Sequence, residues 1–127
     1  MNLHPIAEHL ESSGVGVRAK TIFINMIPIN VNNGILLRNP LVGTKIDYEL
    51  VGYIHSEFQI IVRASGYETG EALMKKAFQA LTLSQRTLGN LHIQECYPMF
   101  EPVVYPLSDG NLLEFSTDFR IVGYEVP

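Results

Sequence analysis

Residues 55–82 read HSEFQIIVRASGYETGEALMKKAFQALT, and along them the spacing of apolar residues changes once, from every second position to every third or fourth. Over 55–65, Phe58, Ile60, Val62 and Ala64 alternate with Gln59, Ile61 and Arg63. That is the pattern of a strand with one buried face, because successive side chains point to opposite sides of a sheet. From 66 to 82, Leu73, Ala77, Ala80 and Leu81 recur at helical spacing while Lys75, Lys76 and Gln79 fall on the other side. Ser65 and Glu68 have the spacing of a capping box, which marks the helix start. Gly70 inside the helix costs ~1 kcal/mol relative to Ala, so its presence predicts close packing on a strand.

Outward from this strand and helix, His4 to Gly14 predicts a short N-terminal helix. Pro5 suits its first turn, Ile6 and Leu10 share a face, and Gly14 stands where a helix ends. Residues 16–28 carry β-branched and aromatic residues on both faces around Thr21 to Ile24, the pattern of a strand near the middle of a sheet, stopped by Pro28. Residues 84–90 read as a connector and 91–99 as a strand broken by Pro98. Residues 102–107 and 112–126 read as a hairpin around Asp109-Gly110, a pair suited to positive φ at both turn positions. In the last run Leu113, Phe115, Thr117, Phe119 and Ile121 face the core, and Glu114, Ser116, Asp118 and Arg120 face water. Helix, strands, helix, strands, without βαβα alternation, predicts a single α+β domain over 1–127. Its sheet is mostly antiparallel, with the short N-terminal helix and the longer amphipathic helix (about 66–82) packed on one face.

At 127 residues with 46% apolar composition, the chain can build one core without disulfides or metal. Its lone cysteine, Cys96, has no intrachain partner and reads as a small buried apolar residue, as in a protein made in a reducing cytosol. No basic-then-apolar leader opens the sequence and no apolar run approaches the ~20 residues of a membrane span. The net charge of -4 and the lack of a Lys/Arg cluster argue against nucleic-acid groove binding, but not against a surface past which DNA slides.

No catalytic pattern is legible. His4, His9, His55 and His92 are scattered without zinc spacing and read as surface or rim residues. Gly14-Val15-Gly16 is no dinucleotide fingerprint, and no G-x-S-x-G elbow exists. Asp47 and Glu49 are the one close acidic pair in an irregular stretch, and they read first as loop decoration. With His55 they leave open a small metal-dependent hydrolase. No catalytic residue, metal ligand or cofactor is assigned.

The stretch 31–53, VNNGILLRNPLVGTKIDYELVGY, is too rich in Gly, Pro and Asn for one element and too apolar for an idle loop. Ile35, Leu36 and Leu37 are consecutive, and a strand would bury only one side of them. Leu41, Val42, Leu50, Val51 and Tyr53 follow across Pro40, Gly43 and Gly52. The stretch is either a flap over its own core or a partner surface.

NNGILLRNPLVGTKIDYELVGY, FQIIVRASGYETGEAL and EPVVYPLSDGNLLEFSTDFRI together resemble the phage minor capsid or tail completion proteins, and more broadly the tail terminators of tailed bacteriophages. The likeness runs from about Phe23 to Ile121. It implies a structural, non-enzymatic virion protein at the head-proximal end of the tail, made in the host cytoplasm. Such a protein would form a hexameric ring on the tail tube protein, stop tube growth and meet the head-tail connector or neck protein. If the tail is contractile, it would also meet the sheath protein, and DNA would pass through unbound. On that reading the 31–53 arm supplies one subunit or tube contact, with Leu36, Leu37, Leu41 and Tyr53 as anchors and Arg38, Asp47 and Glu49 setting register. Asp109, Glu114 and Asp118 would line an acidic lumen. A head-completion or neck connector and a monomeric host-interaction module are the alternatives.

Overall fold

The computed structural model describes residues 1–44, 46–107 and 111–126. Two helices, α1 (His4–Ser12) and α2 (Tyr67–Leu81), lie on one face of a mixed, mostly antiparallel seven-stranded sheet. Its strands are β1 (Ile22–Ile24), β2 (Gly34–Arg38), β3 (Tyr53–Ala64), β4 (Leu83–Leu88), β5 (Leu91–Pro98), β6 (Val103–Pro106) and β7 (Leu113–Glu125). This is the α+β class that the sequence predicts.

The sheet has two tiers joined by its two longest strands. β3 and β7 pair antiparallel from Tyr53↔Tyr124 to Ala64↔Leu113. At the Ala64 end, β2 pairs residues 59–63 of β3, β1 lies parallel outside β2, and β6 pairs residues 113–116 of β7. At the Tyr53 end the order is β3-β7-β5-β4, because β5 takes up β7 from Phe119 to Glu125 and β4 adds outside it.

Alternation holds along both central strands. Phe58, Ile60, Val62 and Ala64 of β3 and Phe115, Thr117, Phe119 and Ile121 of β7 are buried under the helices. Phe119 is the hub: it stacks on Phe58 at 5.5 Å and meets the Phe78 ring of α2 edge-on at 5.4 Å. Thr117, a polar residue in this core, is satisfied by donating to Phe100 O at 2.8 Å.

The helices obey local rules with one exception. Pro5 opens α1, and beyond its end Gly14 takes φ +78° while Val15 N–H closes on Leu10 O at 3.0 Å. Gly66 is the N-cap of α2, and no side chain caps the helix, so the Ser65/Glu68 capping box does not form. His9 departs from the expected rim position. It is buried on the α2 side of α1, and its Nε2 donates to Ala80 O at 2.8 Å, tying the two helices together.

Three strand readings are corrected. β1 is a three-residue edge strand, not a central one, because Asn25 turns left-handed at φ 61° immediately after it. The 25–33 return to β2 then crosses the face opposite the helices, where Arg63 Nη1 donates to Pro28 O and Val31 O. Residues 83–88 form edge strand β4 rather than a connector, joined to β5 by the two-residue turn Gly89-Asn90. Its polar residues conceal it, because an edge strand with wet faces has no alternation to read. Asp109-Gly110 lies outside the described residues. The strands flanking it pair as the hairpin reading requires, with Leu107 N–H on Leu112 O at 2.8 Å.

Gly70 packs where a side chain could not: a Cβ there would come within 2.0 Å of Phe115 Cε1. Gly70→Ala should therefore destabilise the fold by roughly 1–3 kcal/mol through overpacking, outweighing the ~1 kcal/mol gain in helix propensity. Denaturant unfolding checks this, and Gly70→Ala combined with Phe115→Leu should recover part of the loss. A raised midpoint for Gly70→Ala alone would contradict the contact.

Candidate interaction surface

The unusual surface is the connection from β2 to β3, residues 39–52. β2 ends for a backbone reason. Leu37 O accepts from Asn25 N and Ile35 N donates to Thr21 O, so residues 35 and 37 bond β1 and residues 34, 36 and 38 bond β3. The next position turned toward β3 is Pro40, which has no N–H to give. Asn39 is fixed by reciprocal amide bonds with Asn25 at 2.9 Å, and the chain turns away through Gly43 at φ +80°.

Beyond that turn the loop holds itself. Asp47 Oδ1 accepts from Glu49 N at 2.9 Å and Leu50 N at 2.8 Å, and Tyr53 N–H closes on Leu50 O at 3.0 Å. The apolar side chains nevertheless stand in solvent: Val42 is 99% exposed, Val51 95%, Tyr48 91% and Leu41 87%, with Ile46 and Leu50 also exposed. A flap closed over its own core would bury them, so the flap reading does not describe residues 41–51.

The seven interface candidates divide. Leu36 and Leu37 are buried in β2, at 7% and 0% exposure, and so are corrected from surface anchors to core. Leu37 points under the helices, and Leu36 lies on the face crossed by residues 25–33, so both sides of β2 are covered. Leu41 and Glu49 are exposed, Asp47 serves its own turn, and Arg38 and Tyr53 are half-buried at strand ends.

The sheet face away from the helices is charged but not simply acidic. Glu114 pairs with Arg63 at 3.3 Å, both side chains only 13% exposed, so it offers no unbalanced negative charge. Asp109 lies outside the described residues. Arg120 Nη2 sits 2.6 Å from His55 Nε2 and its Nη1 3.9 Å from Glu57. Arginine has only donors, so that His55 nitrogen is the acceptor of this contact. Partial burial, and then the neighbouring Glu57, push the Asp118 carboxyl above its ordinary range.

Asp47, Glu49 and His55 do not converge, and no group of three or more His, Cys, Asp or Glu among the described residues could hold a metal ion. Burial pushes the Cys96 thiol up to about 12, leaving it protonated and inert at neutral pH. No described helix is long and apolar enough to cross a membrane.

A family model described as "Bacteriophage tail terminator protein" matches residues 9–125. The chain belongs to that family. Tail terminators are a structural class not known to be enzymatic. No curated protein matches the chain. Among solved structures, a chain of the "Virion of native gene transfer agent (GTA) particle" shares the fold at TM-score 0.70 and 13% identity. The match covers 95% of this tail terminator and 94% of that chain.

Two features of this surface escape the sequence reading. One is β4, whose Gly89-Asn90 turn was the available signal. The other is the backbone edge of β3 left open when β2 stops at Pro40, which only the pairing register discloses.

The raised Asp118 carboxyl has a sign that can be tested. Folding disfavours its charged form, a penalty present above the folded pKa and relieved as pH falls through it toward the ordinary value of 3.8. Asp118→Asn should raise the melting temperature at pH 7 and lose that advantage in acid. An equal or larger gain at low pH would contradict this environment.

Proposed function

We propose that this protein caps the head-proximal end of the phage tail tube as a closed ring, stopping tube growth and presenting the surface that the head-tail connector meets. The observation that carries this reading is the 41–51 loop. On a chain of the tail terminator family, at least five large apolar side chains stand in water beside an open strand edge, an arrangement that a partner must cover.

A ring differs from a two-fold dimer in what it asks of each subunit. Its contacts are heterologous, so two different surfaces must meet and the rotation must close, or a filament results. The 41–51 loop supplies one of these surfaces, with Leu41, Val42 and Val51 as apolar contacts and Glu49 at the rim. Arg38 and Tyr53 border it from the ends of β2 and β3. DNA needs no binding site in such a ring. The balance of Arg63 with Glu114 and of Arg120 with Glu57 suits a face past which a polyanion moves without being held.

Light scattering across concentration, with and without tail tubes of the same phage, tests the reading. Wild type should reach about six-fold mass alone or on tubes. Leu41→Asp with Val51→Asp should stay monomeric and leave tubes uncapped. Because both side chains are exposed, stability should change by no more than ~0.5 kcal/mol. Retention by the portal side instead of the tube would favour a neck connector, and a wild type that stays monomeric with tubes would contradict the ring.

A further inference from the structure

The hydrogen-bond register identifies which strand edges can accept another strand. Gly52 O accepts from Glu125 N, so the even residues of β3 bond β7 and the odd residues point the other way. β2 takes residues 59, 61 and 63, and Tyr53 N is used by Leu50 O. The backbone N–H and C=O of His55 and Glu57 therefore face outward, and no backbone group among the described residues bonds them.

The other edges differ. In β6, Leu107 bonds Leu112, so residues 103 and 105 bond β7 while 102, 104 and 106 point outward. Positions 102 and 106 are prolines, leaving Val104 as the one outward donor, which blunts that edge against strand addition. In β4 the register runs through β5. Val126 N–H bonds Asn90 O, so His92 faces β7, Leu91 and Ile93 face β4, and Thr87 of β4 points outward. Gln85, at φ 49°, kinks β4, so its straight stretch is Arg86–Leu88.

These two open edges bound one sheet, the four-stranded tier β3-β7-β5-β4, in which every neighbour is antiparallel, and they are staggered, Thr87 standing level with Tyr53 through His92 and Tyr124, as strands inclined to a ring axis require. β3 and β4 therefore run in opposite directions. If a second copy is placed beside the first by rotation alone, its β3 arrives antiparallel to the β4 already there. The side-chain faces agree: Thr87 bonds His92, His92 packs on Tyr124 and Tyr53 on His55, so His55 and Thr87 both lie on the face away from the helices and a β3–β4 joint would keep that face continuous.

We infer that β3 of one copy adds to β4 of the next at His55–Glu57 and Arg86–Leu88, so that the β3-β7-β5-β4 tiers join into one continuous antiparallel sheet around the ring. This rests on the ring reading above and specifies its subunit contact. The occupant of the β3 edge is a second copy of this chain, and the exposed 41–51 loop beside that edge lies over the joint.

Proline isolates the backbone contribution. Thr87 turns its N–H away from β5, so Thr87→Pro removes an outward donor and no internal ladder bond, while Thr87→Ala keeps that donor and loses only the hydroxyl near His92. Thr87→Ala should assemble as wild type. Thr87→Pro should remain folded by circular dichroism but lose at least ten-fold in assembly affinity. As a second measurement that does not depend on the proline being tolerated, His55→Cys with Thr87→Cys should give a ladder of covalent multimers with a short bis-maleimide. Each single variant should give none, because native Cys96 is buried. Wild-type rings of six-fold mass whose double-cysteine form gives no ladder would overturn the strand joint and leave the ring standing. A wild type that never leaves the monomer, even on tubes, would overturn both.

Discussion

The twelve-residue antiparallel ladder between β3 and β7 is the constraint on which the rest of the molecule depends. It supplies the inner wall of the core, with Phe58 stacked on Phe119, and among the described residues it is the one pairing that runs through both tiers of the sheet. Each shorter strand is placed by where it meets this pair. β2 and β6 flank its Ala64 end and β5 its Tyr53 end, and β2 stops where Pro40 can no longer donate. A shift of one residue in this ladder would turn Phe115, Phe119 and Ile121 out to water and Glu114 and Arg120 into the core.

Sequence reading recovers elements whose burial is one-sided and loses those whose burial is not. Strand β3, helix α2 and strand β7 are legible because a single face of each is covered, so periodicity survives in the residues. β4 is missed because Ser84 through Thr87 are all exposed, and β1 is misplaced because three residues cannot display a period. Leu36 and Leu37 show the limit from the other side. Their adjacency is ambiguous in one dimension, and burial of both faces follows only from the 25–33 crossover, a contact between segments distant in space that no local pattern encodes.

The exposed apolar loop is partly legible. The 31–53 stretch is too apolar for an idle loop, and Leu41, Val42, Ile46, Tyr48, Leu50 and Val51 are as exposed as that reading requires. Its inner boundary was not readable, because Ile35 to Leu37 and Leu41 to Val42 are chemically alike and only backbone register separates strand from loop. The acidic side of the sheet was half readable. Asp118 and Glu114 do share a face, but Arg63 neutralises Glu114, and a cross-strand pair joins residues 51 positions apart. Family membership then gives the exposed loop a structural setting.

The most direct test of the account is electron microscopy of tail tube protein polymerising in the presence and absence of this protein. The account predicts that added protein arrests elongation and appears as a ring of six subunits at one end of each tube. Tubes that keep growing to the same lengths, with no density added at either end, would contradict it.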